Sequence, residues 1–105
     1  MTKEQVEQYK IRYELDNYLC QAKKCNMKAT QIAHRISKSK ENYRTYGKEI
    51  IDHNINLTPV CCLEHNDSFN IGNKVRIANK LAEYIRKNKE KRIPSKNIQK
   101  YIENC

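Results

Sequence analysis

ATQIAHRISKSKENYRTYGKEIIDHNINLTPVCCLEHNDSFNIG, residues 29–72, contains all three histidines of the chain and two adjacent cysteines. Side chains that bind metals or accept protons follow one another along it, at His34, Asn56, Cys61, His65 and Asn66. The flanking segments have mostly helical patterns. We therefore expect them to support this central segment, which decides the fold.

The size and composition of the chain predict one domain with a small core. The 105 residues leave room for a single core or for one core with a tail. Hydrophobic residues make up 38% of the chain, below the roughly 45–50% of globular proteins, and 31% are charged. Small cores often gain stability from a bound metal or a partner.

The net charge of +9 favours a polyanionic partner, with DNA as the leading candidate. A solvated surface also carries many lysines, so position must decide. The sequence has neither a membrane span nor the apolar region of a signal peptide, which predicts a cytoplasmic protein without membrane contact. In a reducing cytosol, the five cysteines are expected to be free thiols or metal ligands.

The first half of the chain predicts a helix followed by a hairpin. Residues 2–19 form an amphipathic pattern with Val6, Tyr9 and Tyr13 inward, and Thr2 and Gln5 match a capping box. Residues 29–36 are interpreted as the first strand, with His34 near its end. Residues 37–47 are predicted to be a loop whose lysines, arginine and tyrosines suit phosphates and bases.

The second half predicts the other strand and three helices. Residues 48–60 are interpreted as the second strand and its approach, with Pro59 at an edge. A short helix follows over residues 61–70 and ends at Gly72. The segment from Ser95 onward forms a further helix, and so do residues 73–89, whose inner side carries Val75, Ile77, Ala78, Leu81, Ala82 and Ile85. The predicted organisation is an N-terminal helix at 1–19, a core at 20–73 and basic helices at 74–105.

Two pairs of potential ligands predict a structural zinc site. Cys20 and Cys25 are separated by four residues, and Cys61 and His65 are spaced by about one helical turn. Cys62 could replace one of these four ligands, and buried free cysteines are the alternative to metal binding. Cys105 is interpreted as incidental.

The central segment also contains residues suited to phosphodiester hydrolysis, which needs a base and a divalent cation. A neutral histidine can accept a proton near neutral pH, an asparagine can orient it, and a second asparagine can bind the cation. His34, Asn56 and Asn66 are the candidates. Asp52 and His53 form an alternative pair for metal binding and water activation.

Three motifs resemble those of the HNH endonucleases, which have the ββα-metal fold. They are AHRI at 33–36, NLTPVC at 56–61 and HND at 65–67. Cys20 and Cys25 resemble the zinc-bearing subgroup, and the segments are similar to small phage and prophage members. The resemblance covers about residues 20–73. It implies an α+β fold in which a ββα-metal core, an N-terminal helix and C-terminal helices surround a structural zinc ion.

The resemblance also implies functional roles. His34 would be the general base, Asn56 would position it, and Asn66 would bind Mg²⁺ or another divalent cation. Double-stranded DNA would be the substrate. Its phosphates would be held by the basic side chains of Arg35, Lys38, Lys40, Arg44 and Lys74.

Two positions depart from the family pattern. Many members have Asp or His as a second metal ligand where this chain has Ala33, so Asn66, Asp67, Asn70 or water would have to compensate. His65 also stands where the zinc knuckle usually has its second cysteine. An inactive, zinc-stabilised nucleic-acid-binding module is therefore the alternative function. A small basic protein-interaction domain with incidental cysteines is the third.

Overall fold

The protein is described over residues 1–105 by a computed structural model and belongs to the α+β class, with six helices and one hairpin. The helices are α1 (Lys3–Leu15), α2 (Lys40–Tyr46), α3 (Lys48–Ile51), α4 (Leu63–Ser68), α5 (Val75–Lys87) and α6 (Ser95–Glu103). The strands are β1 (Gln31–His34) and β2 (Leu57–Val60), and a 3₁₀ turn at Asn54–Asn56 precedes β2. No helix is long and apolar enough to span a membrane.

Helix α1 begins as the sequence predicts but has a different inner face. The capping box is confirmed, since the Thr2 N–H donates to Gln5 at 2.8 Å and the Gln5 N–H donates to Thr2 at 3.2 Å. The predicted apolar face is only partly enclosed: Tyr9 and Tyr13 are half-buried, Val6 is 53% exposed, and the one fully buried residue of the helix is Arg12. The helix ends at Leu15, because Asn17 and Tyr18 have left-handed backbone with φ values of 56° and 59°.

Arg12 connects three distant parts of the chain. Its guanidinium donates to the Asn54 carbonyl at 2.9 Å and to the Asn54 side chain at 3.1 Å. It also donates to Asp16 at 3.2 Å and to the Ser95 hydroxyl at 3.3 Å. Asp16 in turn accepts from the Ser95 backbone N–H at 2.9 Å. A buried polar cluster, rather than an apolar stripe, therefore holds α1 against the 3₁₀ turn and α6.

The hairpin forms where the sequence predicts it, although both strands are shorter. β1 and β2 are antiparallel, with Gln31 opposite Val60 and His34 opposite Leu57. The predicted strand region at residues 48–60 is strand only over Leu57–Val60, because α3 and the 3₁₀ turn occupy its first part. Asn56, which ends that turn, hydrogen-bonds the backbone of Ile36 after β1 and of Ile51 at the end of α3.

The predicted basic loop at 37–47 is mostly helical. Ser39 caps α2 by accepting the Asn42 N–H at 3.1 Å. Gly47, at φ +85°, separates α2 from α3. Tyr43 and Tyr46 are half-buried and pack against the main core.

The C-terminal helices supply much of the core. Ala78, Leu81, Ala82 and Ile85 of α5 are buried as predicted, whereas Val75 in its first turn is 64% exposed. Helix α6 begins at Ser95 as predicted. The predicted helix end at Gly72 is wrong: α4 ends at Ser68, and Gly72 has positive φ in the following segment. The main core also contains Ile36, Ile50, Ile51, Ile55, Ile71 and Ile98.

The Arg12→Met variant tests the buried polar cluster. Removing the cation leaves the Asp16 charge buried without its counterion and the Asn54 oxygens without their Arg12 donor, so we expect the free energy of unfolding to fall by about 3 kcal/mol. Lys10→Met is the control, because Lys10 is exposed on the same helix. Urea unfolding of the zinc-loaded variants measures the difference. Equal stability of the two variants would contradict the role given to Arg12.

Candidate metal centre

Four potential metal ligands converge from three segments of the chain. Cys20 and Cys25 come from the loop after α1, Cys61 follows β2, and His65 lies on α4. Their donor atoms all lie within 4.8 Å of one another. The predicted set of three cysteines and one histidine is therefore brought together as a single cluster.

The distances within the cluster match the edges of a tetrahedral zinc site. The sulfurs of Cys25 and Cys61 are 3.8 Å apart, and His65 Nδ1 lies 3.4 Å from the sulfurs of Cys20 and Cys61. Zinc bonds of about 2.3 Å to sulfur and 2.0 Å to nitrogen imply edges of about 3.8 Å and 3.5 Å at tetrahedral angles. Because thiolate and imidazole donors also suit zinc, the cluster is consistent with structural Zn²⁺.

Backbone hydrogen bonds hold the first two ligands in place. The Cys20 N–H donates to the Met27 carbonyl at 2.9 Å, and this bond closes the loop that contains both cysteines. The Gln21 N–H donates to the Pro59 carbonyl at 3.0 Å. The loop is thereby attached to β2, immediately before the strand delivers Cys61.

The thiols influence one another's ionisation. A hydrogen bond from the Met27 backbone lowers the pKa of Cys25. Burial, followed by the hydrogen bonds that Cys61 donates to neighbouring thiols, raises the pKa of Cys61 to about 12. A divalent cation would offset the repulsion between adjacent thiolates, since the metal binds the ionised form.

Cys62 is excluded from the cluster although it is adjacent to Cys61. It stands at the N-terminal cap of α4, and the four clustered donors do not include it. His65 therefore occupies the position for which Cys62 was the alternative. His65 reaches the same cluster as Cys61 because it lies four residues later, on the first turn of α4.

His34 lies apart from this cluster, at the end of β1. It borders a cavity of about 270 Å³ that Asp52, Tyr43 and Lys38 also line. Burial is the main reason that the pKa of His34 lies below its usual value, with a further contribution from Lys38, while Asp52 opposes both. The lowered pKa favours the neutral imidazole near pH 7, which is the form that can accept a proton.

Asn56 was predicted to orient the His34 imidazole through its side-chain carbonyl, but the structure gives that carbonyl another partner. Its side-chain oxygen accepts the Ile36 N–H at 2.8 Å, and its amide nitrogen donates to the carbonyls of Ile36 and Ile51 at 3.0 and 2.9 Å. Asn56 is fully buried, and all of its side-chain hydrogen-bond partners are backbone groups. Its effect on His34 is indirect, through the backbone two residues further along.

Asn66 is directed toward the beginning of β1. Its amide nitrogen donates to the Gln31 side chain at 3.3 Å and to the Ile32 carbonyl at 3.4 Å. No hydrogen bond joins the side chains of His34, Asn56 and Asn66. The hairpin and α4 pack together as the resemblance implies, but these three side chains do not form a bonded triad.

The alternative pair of Asp52 and His53 has mainly internal partners. Asp52 accepts from the Tyr43 hydroxyl at 2.6 Å and from the Gln5 amide at 3.2 Å. His53 Nδ1 accepts the Ile55 N–H at 3.1 Å, so Nε2 carries the proton and donates to the Lys89 carbonyl at 2.9 Å. His53 has no free ring nitrogen for a metal. Asp52, however, faces His34, which the sequence analysis did not anticipate.

Arg35 is not the surface phosphate contact that was predicted. It is 1% exposed, donates to the Gln99 side chain at 2.6 Å and lies over the Phe69 ring at 5.2 Å. Its position after β1 directs it between the hairpin and α6, where its long side chain is enclosed. The other four basic candidates are exposed, namely Lys38, Lys40, Arg44 and Lys74.

The adjacent cysteines provide a matched test of the metal centre. We expect wild type and Cys62→Ser to retain about one zinc ion per chain, whereas Cys61→Ser loses zinc and melts about 10 °C or more lower. Zinc is measured by mass spectrometry of the purified chain, and melting by circular dichroism. Equal zinc content in the two variants, or no zinc in wild type, would contradict the assignment.

Comparison with known proteins does not identify a family for this chain. No protein-family model matches it, and no curated protein or solved structure matches it either. The chemistry assigned to the site therefore rests on the donor atoms and cavities described above.

Proposed function

We propose that this protein is an HNH-like endonuclease that hydrolyses DNA phosphodiester bonds, with His34 as its general base. The observation that carries the proposal is the neutral imidazole at the end of β1, which opens onto a polar cavity beside Asp52. His34 belongs to the hairpin itself, and a metal ion bound by the four clustered ligands would tie this hairpin to α4 and to the loop after α1. The ββα arrangement of β1, β2 and α4 is compatible with the motif order in the sequence.

His34 would take a proton from water, and Asn56 would hold the backbone that follows it. Asp52 is the one carboxylate that borders the same cavity. Its oxygens fit Mg²⁺, which commonly binds one or two carboxylates and keeps several waters. Such a cation would neutralise charge on the phosphate and on the leaving oxygen. In this proposal Asp52 serves in place of the ligand that Ala33 cannot supply.

Exposed cations near the cavity would hold the DNA backbone. Lys38 borders the cavity itself, and Lys40 and Arg44 lie on α2, which begins two residues later. Lys74 caps α5. Contacts of this type bind phosphates irrespective of base sequence, so they contribute affinity and position rather than specificity.

The second candidate is a zinc-stabilised module that binds nucleic acid without cutting it. It is favoured by Ala33, which is fully buried and offers no ligand, and by Asn66, whose amide nitrogen is directed to the Gln31 and Ile32 end of β1. The exposed cations serve this function equally well. The two candidates therefore differ only in chemistry at His34.

A plasmid-nicking assay separates the two candidates. With Mg²⁺ or Mn²⁺, we expect His34→Gln to nick at least about a hundredfold more slowly than wild type, because general-base catalysis contributes about that much or more. His53→Gln is the matched control, since the His53 ring has internal partners only. Both variants are to be checked for zinc content and DNA binding.

Equal nicking by wild type and His34→Gln would contradict the role of His34. DNA binding without nicking by wild type would leave the binding module as the function. Equal losses in His34→Gln and His53→Gln, with intact folding, would also count against a specific catalytic role for His34.

The salt dependence of DNA binding tests the proposed phosphate contacts. We expect the Lys40→Gln/Arg44→Gln double variant to bind more weakly and to reduce the slope of log affinity against log salt by about 2. Lys87→Gln/Arg92→Gln makes the same change in charge at two exposed residues that do not line the cavity. Fluorescence anisotropy with a labelled duplex measures both slopes, and identical slopes for the two double variants would exclude α2 as the contact surface.

A further inference from the structure

A second cavity, of about 350 Å³, lies between the Cys20–Cys25 loop and one face of α6. The charged groups that line it are mainly cationic. The cations are Lys23, Lys24, Arg35, Lys96 and Lys100, and the single carboxylate is Glu103. A zinc ion held by three thiolates and a neutral imidazole adds one net negative charge nearby, which still leaves the positive charges in excess.

Arg35 is the buried member of this group, and its guanidinium is only partly satisfied. One terminal nitrogen donates to Gln99 at 2.6 Å, whereas Nε and the other terminal nitrogen have no hydrogen-bond partner. A buried cation without a counterion is costly. Burial, followed by the charge of Arg12, lowers the pKa of Arg35 to about 9.

The chain itself supplies no anion to Arg35. Asp16 is the carboxylate whose charge acts on it, but Asp16 is already bonded to Arg12 and to Ser95. Glu103 is exposed and is linked to Arg35 only through Gln99, which donates to Glu103 at 3.4 Å. No carboxylate of the chain therefore forms an ion pair with Arg35.

The N-terminus of α6 is not the source of this anion preference. The Ser95 N–H and hydroxyl both donate to Asp16, so they are already used. The available donors are those of Arg35 and of the lysine side chains on the two walls. A planar guanidinium with several ammonium groups suits a ligand with many acceptor oxygens and two negative charges.

We propose that the cavity between the Cys20–Cys25 loop and α6 binds a phosphate group, with Arg35 as the buried anchor and Lys96 and Lys100 on α6 closing over it. The phosphate comes either from a phosphomonoester or free phosphate, or from the backbone of a nucleic acid. This site goes beyond the proposed nuclease function, because it uses neither His34 nor Asp52.

The zinc-loaded full chain is to be titrated with inorganic phosphate, followed by ³¹P NMR and thermal melting, against sodium chloride at equal ionic strength. We expect saturable binding and a rise in melting temperature with phosphate only. Lys100→Gln should weaken phosphate binding by about threefold to tenfold, and Arg35→Met by about tenfold or more. Lys87→Gln on α5 removes the same charge outside the cavity and should leave the affinity unchanged.

Zinc content and circular dichroism show whether Arg35→Met remains folded. Should it unfold, Lys96→Gln joins Lys100→Gln as the test. Equal melting shifts with phosphate and chloride would overturn the proposal. So would equal effects of Lys100→Gln and Lys87→Gln.

A single-stranded oligonucleotide with and without a 5′-phosphate distinguishes the sources of the phosphate. Tighter binding of the phosphorylated form, lost in Lys100→Gln, identifies a monoester ligand. Equal binding of both forms, weakened alike in Lys100→Gln, identifies the nucleic-acid backbone, and binding of both forms unaffected by Lys100→Gln contradicts the proposal. His34→Gln should bind phosphate as wild type does, so failure of the nuclease function leaves this result unchanged.

Discussion

The convergence of three cysteine sulfurs and one histidine nitrogen is the constraint on which the hairpin region depends. Cys20 and Cys25 enter from a loop, Cys61 from the end of β2 and His65 from α4, and few large apolar side chains accompany them. The apolar cluster around the site contains only three buried residues, Cys20, Ala33 and Val60. Such a small cluster supplies little hydrophobic stabilisation, so a metal ion that binds all four ligands would contribute directly to folding.

A second polar cluster holds helices α1 and α6 in place. The buried group formed by Arg12, Asp16, Asn54 and Ser95 attaches α1 and α6 to the 3₁₀ turn. Because α6 is fixed in this way, Gln99 lies against Arg35 and one wall of the cationic cavity is complete. The four metal ligands thus fix the Cys20–Cys25 loop on one side of that cavity, and the buried polar group around Arg12 fixes α6 on the opposite side.

Local signals in the sequence were sufficient for some features. The capping box of Thr2 and Gln5, the inner face of α5 and the four clustered ligands depend on short spacings, and sequence reasoning found all of them. Helix α2 was missed although Ser39 is a typical cap, because its basic and aromatic composition favoured a loop. The sequence alone could not place Arg12 and Arg35, since charged side chains are buried only when distant partners enclose them. The partners of Asn56 likewise depend on how the two strands meet.

X-ray absorption spectroscopy at the zinc edge of the purified chain tests the central claim most directly, because it reports the atoms bound to the metal. Three sulfurs at about 2.3 Å and one nitrogen at about 2.0 Å are the ligand shell that Cys20, Cys25, Cys61 and His65 predict. A shell of four sulfurs would require Cys62 to replace His65. A shell dominated by oxygen or nitrogen would mean that the cysteines do not hold the ion, and either result would contradict the account.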